Sequence, residues 1–509
     1  MNIFNANGTV ILFFANIISK LFGAFYRLPL SNILGAEGMG LYQMAFPIYS
    51  FLLTLITGGI SITLTRQIAI YRAKQDRVGI YKTFVLGRNT SLFFGLIFFF
   101  TLLLFAYPLS RLQGNVNAFY GYFAISIGFV FACMLGAYRG YYQGFNNMKP
   151  TAISQVLEQG VKLVLGLFFA YLFFKHGVIY GVFGALLGIS LSEFFSFLFF
   201  LTINKKHISK LKIKLTKKDY SNFIRQVTPV SVTYVLLPFS SLLDSFLIVN
   251  LLSLSGFITT FATSLYGIET GMILPLINMP NVLISAIALA SLPEISFKVS
   301  KNIDIKKQVS TMFKLVLLFI LPCSVGLFVL SKPILTMIFP TLSAELLVIA
   351  NNLLHFSVFE MFFLSFVTIS NALLQALGKT KLPAISLSVG IVAKLFLTLF
   401  LVSNPLINIY GLVLSSIVCY FIASVINVAK IKKITNFRLN FLEIITPLFA
   451  SIVMTTLILL IDAYFGLSSS ILGLFILVIF AIIVYFGCLL AFKQFSFKDL
   501  KKALQTRRE

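Results

Sequence analysis

The residues able to do chemistry in this chain are charges set inside long apolar runs. Lys20 and Arg27 stand seven residues apart in the first such run, two helical turns, so both project from one helix face. A charge at the centre of a bilayer costs about 2.5–3.5 kcal/mol on insertion scales, so it faces a cavity or a partner. Two cations on one face predict a wet cavity that accepts an anion. Asp244 and Glu269, on two later runs, fall by residue count at about the depth of Arg27. That depth suits a gate in which one of them pairs with Arg27, or a sodium or proton coupling site. Glu158 and Lys162 are spaced i to i+4 and can neutralise each other along their helix. Lys394 has Gly390 where such a carboxylate would stand, and Glu360 could supply one. These four are secondary cavity candidates. Lys314 lies near enough to a helix end to snorkel, while Glu193 has no partner that the sequence names.

Reaction chemistry in water finds few of its parts. His176, His207 and His355 are far apart and make no metal-ligand spacing. Gly378, Lys379 and Thr380 resemble the end of a phosphate loop, but the earlier glycine and the preceding strand are missing. Cys133, Cys323, Cys419 and Cys488 fall one per helix without paired spacing, which indicates neither a disulfide framework nor a metal site. The expectation is a transporter rather than an enzyme, with no metal and no bound cofactor.

The elements that position these charges follow from composition. With 509 residues, 59% of them hydrophobic and 11% charged, the chain cannot fold as a water-soluble globule. Apolar runs long enough to cross a bilayer cover 8–30, 41–65, 89–109, 119–142, 152–174, 180–203, 226–251, 263–291, 311–330, 345–375, 384–402, 410–429, 444–461 and 469–492. The reading is an all-α polytopic membrane protein of fourteen transmembrane helices. Its net charge of +25 sits in alternate loops, the opposite ones holding only Arg111, Lys175 and Lys332. The positive-inside rule then puts the basic loops and both termini in the cytoplasm. Those loops read as topology signals and contacts for anionic lipids, not as nucleic-acid sites. The first run carries Lys20 and Arg27 and no small-residue cleavage site, so it reads as a retained helix.

An internal repeat organises the spans. At a constant offset of 232 residues, Gln143, Lys149, Ala152, Ile153, Ser154 and Lys162 match Gln375, Lys381, Ala384, Ile385, Ser386 and Lys394. Two six-helix lobes are expected, inserted with the same orientation and related by a pseudo-two-fold axis along the membrane normal, with substrate between them. The divisions are an N-lobe at 1–204, a basic cytoplasmic linker at 205–225, a C-lobe at 226–430, two further helices at 431–492 and a basic tail at 493–509. Interrupted helices at matching places in two repeats point to a transporter's binding region. Pro29 and Pro47 interrupt the first two spans; Pro229, Pro238, Pro275 and Pro280 interrupt the seventh and eighth. Pro29, Pro47, Pro238, Pro275 and Pro280 are the candidate hinges.

The stretch Ser19 to Gly23, Tyr26, Arg27 and Gly35 to Tyr42, reading GAEGMGLY, resembles the opening of flippases related to stage V sporulation protein B. Tyr138 to Gln159 resembles that family's loop between helices four and five, and Tyr266 to Pro275 its helix eight. The resemblance runs through both halves. It implies the multidrug/oligosaccharidyl-lipid/polysaccharide exporter superfamily, with alternating access around a V-shaped central cavity in a bacterial plasma membrane. It further implies flipping of an undecaprenyl-linked saccharide, with lipid II, the peptidoglycan precursor, as the leading candidate through similarity to MurJ-type flippases, and cell-wall synthesis proteins as partners. Gram-negative members carry further cavity arginines where this sequence offers Phe51, Leu52 and Glu269, so it fits the sporulation-protein branch better. An anion moved outward gains from an inside-negative potential, which predicts dependence on membrane potential, with sodium or proton coupling as an addition. Two other readings stand beside this one: a cation-coupled drug antiporter of the same superfamily, using Asp244 and Glu269, and a non-transporting scaffold of the cell envelope.

Overall fold

Backbone polar groups find no water in hydrocarbon, so a spanning chain must satisfy them within itself, and long apolar runs become helices. The computed structural model describes residues 4–204, 214–301, 303–438 and 440–492. Among them there is no strand. The first lobe's sequence forms α1 (Phe4–Ala73), α2 (Arg77–Leu112), α3 (Phe119–Gly144), α4 (Lys149–Phe174) and α5 (Val178–Asn204). There follow α6 (Lys217–Tyr234), α7 (Leu236–Leu254), α8 (Thr259–Gly267), a π-helical segment (Ile268–Ile273) and α9 (Leu274–Ser300). The remainder is α10 (Lys306–Val329), α11 (Ser331–Ile338), α12 (Ala344–Ala376), α13 (Lys381–Val402), α14 (Tyr410–Thr435), α15 (Phe441–Phe465) and α16 (Ile471–Ala491). The basic tail at 493–509 and positions 205–213 of the linker, His207 included, lie outside the described residues.

Thirteen helices among the described residues are long and apolar enough to cross a membrane. The first of them holds two of the expected spans. It breaks at Gly35, whose φ of 67° and ψ of −174° are non-helical. That left-handed φ suits glycine, which has no Cβ to clash. The break thus falls six residues beyond Pro29 rather than at it, and Pro47 sits within the helix that follows.

The seventh span is also divided. α6 ends at Tyr234 and α7 begins at Leu236, which leaves Pro238 in the first turn of α7, where its missing N–H costs no intrahelical bond. In the eighth, the π-helical segment runs directly up to Pro275, the second residue of α9, and a proline ahead of it accounts for the irregular ladder. The α6 segment carries a capping box at Thr216 and Asp219, and Lys82 pairs with Asp219 at 2.7 Å. The Lys82 bond first, then those from Thr216, hold that carboxyl down at about 2.

The repeat is visible in the backbone. α3 and α12 end at Gly144 and Ala376, and α4 and α13 begin at Lys149 and Lys381, positions that the 232-residue offset superposes. Between them the left-handed residues are Asn146 (φ 58°) and Gly378 (φ 73°), again repeat-mates. The same tight helix-to-helix turn recurs, closed in one copy by asparagine and in the other by glycine.

Among the described residues, those up to 275 with 402–409 form one compact unit, and those from 276 to 401 with those from 410 onward a second. In the second, α15 and α16 pack on α10 through Leu318, Met454, Ile458, Leu477 and Leu489, and the Tyr485 hydroxyl donates to the Leu318 carbonyl at 2.8 Å. Lys314, expected to snorkel, instead approaches Glu443 of α15 at 3.8 Å.

Candidate functional site

Tyr42, Phe46 and Tyr49 recur at helical spacing after the Gly35 break and stack along α1, with centroids 5.6 and 6.1 Å apart. Two cations converge on this stripe. The Arg27 guanidinium lies 6.0 Å from the Phe46 centroid, and the Lys162 ammonium from α4 lies 5.4 Å from it and 4.9 Å from that of Tyr26. A cation so placed is attracted by the ring's negative face. Gly166, one turn beyond Lys162, lets α4 approach the Tyr26 ring closely, which carries the lysine stem into this position. Lys20 is exposed on the same helix as Arg27 and makes no ion pair among the described residues.

The expected pairing of Glu158 with Lys162 is not the one formed. Glu158 Oε2 binds Arg139 Nη2 of α3 at 2.6 Å, while Arg139 Nε donates to the Ser154 hydroxyl at 3.0 Å. A guanidinium offers several donors in a rigid fork, so it holds both partners where the flexible lysine would hold one. The Gln159 amide donates to the other Glu158 oxygen at 3.0 Å. Glu193 of α5, for which the sequence named no partner, accepts a hydrogen bond from the Tyr49 hydroxyl at 3.1 Å. Arg139, Tyr26, Phe46 and Tyr49 were not legible as site residues. Their one signal is that Tyr26 and Arg139 fall within the motifs that resemble the flippase family.

Asp244 and Glu269 are both buried in this unit. Arg27 makes no ion pair here among the described residues, and the contact of α1 with α8 has another composition. A Cβ on Gly267 would stand 2.1 Å from the Ala36 carbonyl oxygen, and one on Gly40 2.0 Å from that of Thr263. Backbone touches backbone at this crossing. Around it the Gln43 amide donates to the Thr270 carbonyl, Asn115 to the Thr263 hydroxyl at 2.9 Å and Gln113 to the Ser245 hydroxyl at 3.0 Å. Glycines and amides join these helices. In the second unit Glu360 and Lys394 are buried, unlike Glu158 and Lys162, which are half-buried, and Pro280 lies inside α9.

A family described as "Polysaccharide biosynthesis protein" matches residues 6–299, more than half of the 509. The chain belongs to that family. The match spans every site residue from Lys20 to Glu269. This family member is 25% identical over 448 residues to "Stage V sporulation protein B" of Bacillus subtilis (strain 168), covering 86% of this chain and 85% of that protein. It is 26% identical over 502 residues to "Lipid II flippase MurJ" of the same organism, covering 92% and 89%. A solved structure, "Lipid II flippase MurJ, inward closed conformation", superposes with a TM-score of 0.74 at 18% identity, covering 95% of this chain and 99% of that one. The fold is that of the multidrug/oligosaccharidyl-lipid/polysaccharide exporter superfamily, and the protein is a multi-pass protein of the bacterial membrane.

Proposed function

We propose that this protein is an alternating-access flippase that carries an undecaprenyl-pyrophosphate-linked saccharide, lipid II foremost, from the inner to the outer leaflet. The observation that carries this reading is the convergence of Arg27 and Lys162 on Phe46 within membrane-spanning helices. Two cations in a low-dielectric setting are costly unless an anion is meant to join them. A diphosphate is such an anion, and Lys20, exposed two turns away on the helix of Arg27, extends the cationic path. The likeness to a protein named for lipid II flipping supports the choice of substrate. Inside-negative potential supplies about 2.3 kcal/mol per charge per 100 mV for an outward-moving anion, so no nucleotide is needed.

Complementation tests the proposal. A bacterium depleted of its own lipid II flippase is given this protein, and lipid II at the outer surface is counted with an externally added lipid-II-cleaving toxin. Cleavage is expected with the intact chain and at least a tenfold loss with Lys20→Ala or Arg27→Ala. No cleavage by an inserted intact chain moves the substrate to another lipid-linked polymer unit, or the function to cation export.

A further inference from the structure

One buried carboxylate has no part in the mechanism above. Glu193 of α5 is 5% exposed, and every element packed around it turns a polar or titratable group toward it. Tyr49 of α1 donates its hydroxyl to Oε1 at 3.1 Å. From α3 come Cys133 and Arg139, and from α4 Glu158 and Lys162, all within its electrostatic reach. Arg139 is committed to Glu158 at 2.6 Å. Glu158 and Glu193 both act on Lys162, the same ammonium that rests on Tyr26 and Phe46, and with Glu158 already held by Arg139, Glu193 is the carboxylate able to answer a change of charge there.

Resting on the anion-carrier reading, we propose that Glu193 is a proton site linked to anion binding at Lys162, so that a diphosphate entering the site brings one proton with it. An arriving diphosphate takes over the neutralisation of Lys162 and places its own negative charge in the field of an ionised carboxylate. In a poorly screened interior two such anions repel, and protonation of Glu193 removes the conflict. The Tyr49 hydroxyl donates to the carboxylate and so favours its ionised form until an anion arrives. Proton and anion therefore bind with positive linkage: the folded protein holds the anion more tightly where Glu193 is protonated, and affinity falls about tenfold per pH unit above its titration midpoint. On release the proton leaves with the anion. The membrane potential drives the cycle, and Glu193 sets how much charge the loaded site carries.

The test is calorimetry of the purified full-length protein with farnesyl pyrophosphate as probe, run across the neutral pH range in two buffers of different ionisation enthalpy, which counts protons taken up on binding. The intact protein is expected to take up one proton more per probe than Glu193→Gln, whose affinity should lose the tenfold-per-unit dependence. Tyr49→Phe, which removes the donor that favours the ionised form, should keep the uptake and move its midpoint to higher pH. Uptake that persists undiminished in Glu193→Gln places the proton on another group and overturns the proposal, as does an unshifted midpoint in Tyr49→Phe. Binding by the intact protein without extra uptake sinks the proton site and leaves the flippase reading intact. Absence of probe binding to the intact protein removes the anion site itself, and both readings with it.

Discussion

Arg139 and Glu158 form an ion pair whose side chains are only 18% and 15% exposed. Two charges so placed depend on each other, because removing one leaves the other desolvated without compensation. Arg139→Ala should therefore cost about 3 kcal/mol, read as a fall in the unfolding temperature of the purified protein, and Arg139→Leu combined with Glu158→Leu should recover most of it. The sequence offered Glu158 another partner, Lys162, at i to i+4. Helical spacing makes that pair geometrically available, but it is silent on a guanidinium brought by a neighbouring helix. Lys314 shows the same limit: its approach to Glu443 needs α15 to lie beside α10.

At the scale of elements, two of the irregular places lie ahead of prolines and one does not. The first helix pair breaks at Gly35, the seventh between Tyr234 and Leu236, and the eighth through a π-helical segment ahead of Pro275. A proline strains the turn before it, which accounts for the seventh and eighth spans; the Gly35 break lies beyond Pro29, between the first two expected spans, where glycine's free φ permits it. The glycines of the α1 and α8 crossing have a different use. Since a Cβ on Gly267 would meet the Ala36 carbonyl oxygen at 2.1 Å, Gly267→Leu should force these helices apart. Cysteines at 115 and 263, whose present side chains meet at 2.9 Å beside this crossing, should then crosslink readily in the intact background and at least fivefold less in Gly267→Leu, by gel shift after mild oxidation. Equal crosslinking in both would show that the crossing tolerates the side chain.

At the scale of the whole molecule, composition and the spacing of apolar runs decide the class, and one helix–turn–helix recurs at an offset of 232 residues. A flippase that moves a net anion should respond to the field. Depolarising cells that express the protein is expected to reduce toxin-accessible lipid II at least tenfold at 100 mV, since about 2.3 kcal/mol per charge is then withdrawn. Flipping that continues unchanged after complete depolarisation would show that charge movement is not what drives it.

The sequence by itself determined the membrane class, the places of the apolar spans, the recurring helix–turn–helix, and Lys20 and Arg27 as charges needing a reason. Each is a matter of local composition or periodicity, which hydrocarbon reads residue by residue. Tertiary structure alone decided the partners. It turned Lys162 from Glu158 to Tyr26 and Phe46, gave Glu158 to Arg139 and Glu193 to Tyr49, and joined α1 to α8 through glycines and amides. An ion pair or a backbone contact between helices depends on rotation and depth about two axes at once, and neither is written in the spacing along one of them.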